Sequence, residues 1–248
     1  YNIHMITSSK NEYIKQLKKL KQEKDVLCLD SPKLIDEAIK SKIEILCLLK
    51  TDKISRQYTN NDIIVASNVL NSFSNTKTSQ QVVALIKLKK QALRPPNSNF
   101  LVLDTIQDPG NVGTLIRSAV GANFLDIYLI NCASVSLDKT IRSTMGAIFK
   151  CSVFEVDNTF VETLKNWNKN LYITDMNGKN LYQNNFKEPI GLVIGNEGHG
   201  VSSEIKNIST GSISLPMQNN LESLNAGVSG SIIMYHLAYV NGGKNVRS

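Results

Sequence analysis

The stretch from Phe100 to Gly121 constrains the fold of this chain more than any other. An apolar run, Phe100-Leu-Val-Leu103, leads into a turn at Asp108-Pro-Gly and then into a helix whose first two turns carry Asn111 and Arg117. Proline presets φ and glycine accepts unusual backbone angles, so the turn is encoded locally. A helix N-terminus just beyond the C-terminal end of a strand is where α/β proteins bind ligands and place reactive groups.

The same grammar continues downstream. Beyond Phe100–Leu103, strands are expected at Asp126–Ile130, Ser152–Glu155, Leu171–Thr174, Ile190–Ile194 and Ser212–Leu215. Helices are expected at Val112–Gly121, Asp138–Met145, Thr159–Trp167 and Ser223–Val240. Near-continuous apolar strands alternating with helices predict an α/β fold with a mostly parallel sheet covered on both faces. Upstream, helical spacing of Ile14, Leu17 and Leu20 predicts an amphipathic helix over Ser9–Lys24. Ser31-Pro32 reads as an N-cap with proline at the first helical position, opening a helix at Lys33–Lys40. Strands at Val26–Leu29, Ile43–Leu49, Ile63–Ala66 and Val82–Lys87 complete a smaller α/β unit. Pro95-Pro96 stops either kind of element. The expected domains are therefore residues 6–93, a linker at 94–98, and residues 99–248, with Tyr1-Asn-Ile-His-Met5 set aside.

Charge separates the two parts. Residues 1–97 hold 17 Lys and Arg against 9 Asp and Glu, net +8, and residues 98–248 hold 11 against 12, net −1, giving +7 for the chain. A one-sided basic excess fits an anionic polymer as partner, since each lysine near a phosphate releases a counterion. A solvated lysine-rich helix face explains it equally well. No apolar run approaches the roughly 20 residues that span a bilayer, and the N-terminus lacks a signal-peptide pattern. Cys28, Cys47, Cys132 and Cys151 show no paired spacing and sit in or beside apolar stretches. They are expected to be buried thiols in a reducing compartment, the cytoplasm, without metal or disulfide roles.

Two further segments carry chemistry. Gly191-Leu-Val-Ile-Gly-Asn-Glu-Gly-His-Gly200 is a buried strand that ends in a glycine loop bearing one carboxylate, Glu197. Its glycine order is GxxGxG, which is neither the dinucleotide fingerprint nor a phosphate loop. Ile213-Ser-Leu-Pro-Met217 and Leu221-Glu-Ser-Leu-Asn-Ala-Gly-Val-Ser-Gly230 lead into the last helix, with Ser223 expected as its N-cap. That helix opens with Asn225, Ala226, Gly227, Ser229, Gly230 and Ser231, poor helix formers taken together, so close backbone approach is expected there, to a ligand or to the sheet.

N-V-G-T-L-I-R, then V-I-G-N-E-G-H-G, then S-L-P-M with E-S-L-N, resembles in content and order the three signature motifs of the SpoU/TrmH family, the RNA ribose 2′-O-methyltransferases of the SPOUT superfamily. The resemblance covers residues 98–240. I-T-S-S-K-N-E-Y-I-K-Q-L-K-K-L is similar to the start of the ribosomal-protein-like substrate-binding domain that many members carry. The resemblance implies a C-terminal SPOUT domain with a deep trefoil knot, preceded by a smaller RNA-binding α/β domain. It implies S-adenosylmethionine as cofactor, held at Gly195, Leu215 and Leu224 with Met217 nearby, and a homodimer with a shared active site.

Ribose methylation is an in-line displacement in which a hydroxyl attacks a sulfonium methyl, so the protein must align the atoms and stabilise charge growing on oxygen. By motif match Arg117 stands at the family's usual candidate base. A guanidinium stays protonated in proteins, so Arg117 is better read as binding the adjacent phosphate and the developing alkoxide. Asn111 is expected to bond Arg117 and substrate, Glu197 to orient that network or pair with Arg117, and Ser223 and Asn225 to hold ribose or the methionine moiety. His199 is expected to be a loop histidine and His236 a packing or interface residue.

The chain departs from the family pattern at Leu27-Cys-Leu-Asp-Ser31, where F-x-V-E-G is expected, at Asn219 or Asn220, where glycine is usual, and at Ala226, where valine is usual. Taken with the resemblance, whose transfer-RNA members often use short terminal extensions instead, the basic first part favours ribosomal RNA, with 23S the expected substrate and transfer RNA the rival. A non-catalytic RNA-binding protein and a nucleotide-binding α/β protein are the competing classes. The first predicts broken motif residues, and the second a phosphate-loop pattern that is missing.

Overall fold

Short apolar strands need helices to cover them, and in the first part of the chain β1 (Val26–Leu29), β2 (Glu44–Lys50), β3 (Ile63–Ile64) and β4 (Val82–Lys87) are accompanied by α1 (Glu12–Leu20), α2 (Pro32–Lys40) and α3 (Ser67–Asn71). The computed structural model describes residues 5–23, 25–74, 80–89, 91–219, 221 and 223–242, arranged as two units, Tyr1–Lys90 and Gln91–Ser248. The first unit's sheet has the order β1-β4-β2-β3, with β4 antiparallel to β1 and β2, and β3 parallel to β2. Ile14 and Leu17 of α1 join Val69, Leu70 and Phe73 in covering Val26, Leu49, Val83 and Leu85. α1 is shorter than expected because Asn11 caps it, accepting the Tyr13 N–H at 2.9 Å. α2 begins at Pro32, and the Ser31 side chain makes no capping bond. The five-residue α3 is too short to show helical periodicity, and was not anticipated.

Between β2 and β3 the chain is tied from within. Lys50 and Asp62 form an ion pair of 3.1 Å with side chains 8% and 5% exposed, and Lys50 Nζ also donates to the Arg56 carbonyl at 2.7 Å. Burial opposes ionisation of Asp62, but bonds from the Tyr58 and Thr59 amides and the Thr59 hydroxyl outweigh it and hold its carboxyl below the ordinary value.

In the second unit β5 (Phe100–Asp104), β6 (Asp126–Ile130), β7 (Ser152–Val156), β8 (Asn170–Asn180), β9 (Ile190–Gly195) and β10 (Gly211–Ser214) lie in the order β10-β8-β9-β5-β6-β7. Every neighbouring pair is parallel, as near-continuous apolar strands require. On one face Phe100, Val102, Tyr128 and Phe154 pack with Phe160 and Leu164 of α6 (Phe160–Asn166) and Ile205 of α7 (Ser203–Ile208). The Tyr128 ring stacks on Phe154 and Phe160 at 5.1 and 5.0 Å. Near the other face lie α4 (Pro109–Gly121), α5 (Asp138–Thr144) and α8 (Ala226–Gly242). A Cβ on Gly230 would fall 2.3 Å from Ile194 Cδ1 and 2.5 Å from Leu115 Cδ2, so α8 lies directly on β9 and α4.

Three expectations change. Residues 94–98 are held by the second unit: Arg94 donates to both Asp126 oxygens at 3.1 and 2.6 Å, its carbonyl accepts the Tyr128 hydroxyl at 2.8 Å, and Pro96 is buried. β8 runs to Asn180 because β10 pairs with its far end, opposing Ile213 to Lys179. α7, six residues long, was not foreseen. No helix among the described residues is long and apolar enough to cross a membrane.

Cys47 is buried, and Cys28, Cys132 and Cys151 are half-buried and unbridged. Burial pushes the Cys47 thiol up to about 11, and those of Cys132 and Cys151 up to about 12. Native protein is therefore expected to alkylate at these three thiols far more slowly at pH 8.5 than urea-unfolded protein, as read by mass spectrometry. The raised values favour the neutral thiol in the fold, so their contribution is full below the unfolded pKa near 8.5 and fades as pH climbs toward 11–12. Lys50→Ala leaves the Asp62 carboxylate buried without its cation and is expected to cost about 3 kcal/mol, measured by urea unfolding. The double change Lys50→Met with Asp62→Leu should cost clearly less.

Candidate active site

The parallel register places the C-terminal ends of β5 and β9 side by side, with Asp104 opposite Gly195. Beyond β5, Asp108 caps α4 and accepts the Gly110 N–H at 3.2 Å, while Lys139 Nζ donates to it at 2.6 Å. The Lys139 bond first, then the Gly110 amide, hold the Asp108 carboxyl below its usual range. In the first turn Asn111 is buried, and its Nδ2 donates to Glu197 Oε1 at 2.5 Å. The first and second motifs thus meet side chain to side chain.

Glu197 sits on a tight turn. Asn196 N–H donates to the Gly200 carbonyl at 3.0 Å and Gly200 N–H returns to the Asn196 carbonyl at 2.8 Å. A Cβ on Gly195 would lie 2.3 Å from the backbone of Gly200 and Val201, and Gly200 itself has φ +70°. Only glycine fits at the first position and glycine is favoured at the second. His199 is exposed on this turn, and its backbone N–H donates to Asn196 Oδ1 at 3.3 Å.

The third motif joins them. α8 begins at Ala226, and Asn225 is its cap: the Asn225 side chain accepts the Val228 N–H at 3.2 Å and its carbonyl accepts the Ser229 N–H at 2.9 Å. Ser223, expected as the cap, lies two residues earlier, because an asparagine spaced three residues from Val228 reaches the amide that a serine at 223 cannot. Asn225 Oδ1 and Asn111 Oδ1 each lie 3.1 Å from where a Cβ on Gly227 would stand. Ser118 and Ser231 share a hydrogen bond of 2.7 Å between α4 and α8. Gly227, Gly230 and Ser231 therefore answer to close approach of α8 to α4 and β9.

The glycine loop after β9, the loop after β10, β8 and α8 bound a cavity of about 550 Å³, within the size range of small-molecule sites, and Asn111, like the rest of α4, is outside its lining. Gly195, Leu215, Met217 and Leu224 line it, as do Glu197 and Ser223. Asp175, Met176 and Asn177 of β8 form a further wall that the sequence reading missed. Their polar run after Thr174 reads as the end of a strand, and only pairing with β10 carries the strand onward.

Arg117 stands apart. It is exposed on α4, no described residue hydrogen-bonds or pairs with it, and it does not line the cavity. The expected bonds from Asn111 and Glu197 to Arg117 are not made within the chain. Six residues advance a helix by about 600°, so Arg117 projects about 120° away from Asn111. Asn225 is also outside the cavity lining. His236 packs edge-on against the Tyr182 ring at 5.0 Å.

The sequence profile of the SpoU rRNA Methylase family matches residues 98–235. The chain is 31% identical over 245 residues to the 23S rRNA (guanosine(2553)-2′-O)-methyltransferase RlmP of Bacillus subtilis, covering 94% of this chain and 98% of that protein. Among solved structures, the AdoMet-bound rRNA methyltransferase from Sinorhizobium meliloti superposes with a TM-score of 0.81 at 21% identity, covering 96% and 98% of the two chains. The SpoU methyltransferase AviRb from Streptomyces viridochromogenes, in complex with AdoMet, does so with 0.80 at 22% identity, covering 94% and 98%. Three motifs in order, a cavity lined by the second and third with the first joined to it through Asn111–Glu197, and a family match over more than half of the chain's length lead to one conclusion: the chain belongs to the SpoU rRNA methylase family, RNA methyltransferases of the SpoU/TrmH type.

Proposed function

We propose that this enzyme transfers the methyl group of S-adenosylmethionine to a ribose 2′-hydroxyl in structured RNA, with 23S ribosomal RNA as substrate. The observation that carries this reading is the Asn111–Glu197 contact at a cavity walled by the second and third motifs. RlmP, similar over nearly all of both chains, is named for 2′-O-methylation of 23S rRNA, and that similarity supports the substrate choice. The basic residues 6–93 support it further, as an RNA-binding domain that adds counterion release to affinity.

The residues present suit the cofactor. Leu215, Met217 and Leu224 offer an apolar wall, Gly195 leaves its backbone open to a close ligand, and Asp175 and Glu197 add carboxylates. When bound, S-adenosylmethionine supplies an electrophilic methyl on a sulfonium. The chain's own part is positioning and charge control. Asn111, held by Glu197, presents a fixed amide near the cavity, and Ser223 adds a hydroxyl donor and acceptor on its wall. Arg117, permanently charged, binds the neighbouring phosphate and steadies charge growing on the 2′-oxygen, while the proton leaves through phosphate or water. The Asn225 side chain caps α8 and so fixes where that helix begins beside Asn111.

An arginine outside the cavity of its own chain supports a homodimer with a shared site. So does α8, which leaves Val228, Tyr235, Tyr239 and Val240 about half exposed or more. The segment from β9 to α8 is read as the trefoil knot of the family. Its support is the path of the chain: β10 crosses to the sheet edge beside β8, and α8 returns to α4 and β9.

Labelled methyl transfer from S-adenosylmethionine to total RNA of a strain deleted for this gene tests the reading. One alkali-resistant site in 23S RNA is expected, and Arg117→Ala should lower kcat about 100-fold or more with cofactor affinity within about three-fold. Label confined to transfer RNA would overturn the substrate choice, and cofactor and RNA binding without transfer would favour a binding protein. Subunit mixing tests the shared site. Arg117→Ala and Glu197→Ala should each be inactive alone, and co-refolded chains should recover about a quarter of wild-type activity, because half the dimers then carry one intact site.

A further inference from the structure

The reaction as drawn leaves one buried carboxylate without a task. Asp104 closes the central strand β5, is 1% exposed, and pairs with no described cation. A charge taken out of water is costly unless hydrogen bonds replace its hydration. Asp104 Oδ2 accepts the Ser202 N–H at 2.7 Å, at the far end of the turn that carries Glu197.

The next residue is strained. Thr105 has φ +58°, a left-handed conformation that a β-branched residue rarely adopts. Its N–H is held by the Ile130 carbonyl at 2.9 Å, which turns its own carbonyl toward the glycine loop. That carbonyl accepts the Asn196 Nδ2 at 3.0 Å, and Asn196 Oδ1 in turn accepts the Gly198 N–H at 2.9 Å. The last residue of β5 and the one after it thus fasten both ends of the Asn196–Ser202 loop, Thr105 at its start and Asp104 at its close. Gly195, opposite Asp104 in the sheet, and Glu197, bonded to Asn111, lie at or within that clamp.

We infer that Asp104 and Thr105 are positioning residues for methyl transfer, holding the glycine loop in the shape that sets Glu197 against Asn111 and keeps the Gly195 edge of the cavity open. This inference rests on the methyltransferase reading above. Neither residue lines the cavity, so each acts through the loop. A carboxylate is suited to Asp104 because it accepts a backbone N–H strongly without donating into the core. The strain at Thr105 is sustained by the bonds at its N–H and carbonyl, which the sheet and Asn196 provide.

The test compares full-length wild type with Asp104→Ala, Asp104→Asn and Thr105→Gly. Five quantities are measured: S-adenosylmethionine affinity by calorimetry, kcat and KM on 23S RNA transcripts, melting temperature, and hydrogen exchange across Asn196–Ser202 without cofactor. Asp104→Ala should weaken cofactor binding about 10- to 100-fold, lower kcat, and speed exchange in the loop. Asp104→Asn, whose amide oxygen still accepts the Ser202 N–H, should return to within about three-fold of wild type. Thr105→Gly, at ease at this φ, should keep its melting temperature yet bind cofactor about two- to five-fold more weakly and exchange faster in the loop. Unchanged exchange and affinity in folded Asp104→Ala would overturn the inference, as would equal damage in the Ala and Asn variants through melting temperature alone. If Asp104→Ala does not fold, Thr105→Gly with wild-type exchange and affinity overturns it. A wild type that neither binds S-adenosylmethionine nor methylates RNA would instead overturn the methyltransferase reading, and the exchange comparison would still report on the clamp.

Discussion

The pairing of β5 with β6 on one side and β9 on the other is the interaction on which the second unit depends. β5 is buried along its whole length and parallel to both neighbours in continuous register. Parallel pairing sends the C-terminal ends of all these strands to one edge, so the loops after β5 and β9 must emerge together. Every contact of the candidate site follows from that edge: the start of α4 beside the glycine turn, and Asn111 against Glu197. An antiparallel β9 would deliver Glu197 to the opposite end of the sheet.

Close packing then makes the edge a cavity. α8 lies against β9 and α4 as it does with glycine at 227 and 230: a Cβ at 230 would displace the ends of the Ile194 and Leu115 side chains, and one at 227 would press on Asn111 and Asn225 at 3.1 Å. Interiors pack too densely to absorb such overlap. The same closeness brings the third motif to the other two, so glycines that weaken a helix in isolation are what the site requires of this one. Asn225 compensates by capping the helix where the polar loop ends.

Within one chain the cavity has its apolar wall but no arginine or lysine among the described residues of its lining. Glu197 and Asn111 satisfy one another within the chain, whereas Arg117 faces away from the cavity on a different side of the same helix. Helix geometry turns Arg117 away from Asn111, and the packing around α4 leaves it exposed. The proposed chemistry gathers negative charge on oxygen and needs a cation nearby, and the exposed apolar stripe on α8 supports a second copy of the chain as its proposed source.

Much of this was legible in the order of residues, because the signals are local. Apolar runs and their spacing marked the strands, Asp108-Pro-Gly marked the start of α4, and the glycine loop and the Pro216 turn marked the segments that line the cavity. What lay beyond local signals was pairing. That β8 continues to Asn180 depends on β10, that Asn225 and not Ser223 caps α8 depends on where the helix meets α4, and that Arg117 misses its expected partners depends on which faces of α4 are covered. Asp104 shows the division best. In sequence it is an acidic residue ending an apolar strand. Its work is visible only once β5 and β9 lie side by side, because a hydrogen bond across 98 residues of chain is set by packing and leaves no periodic trace.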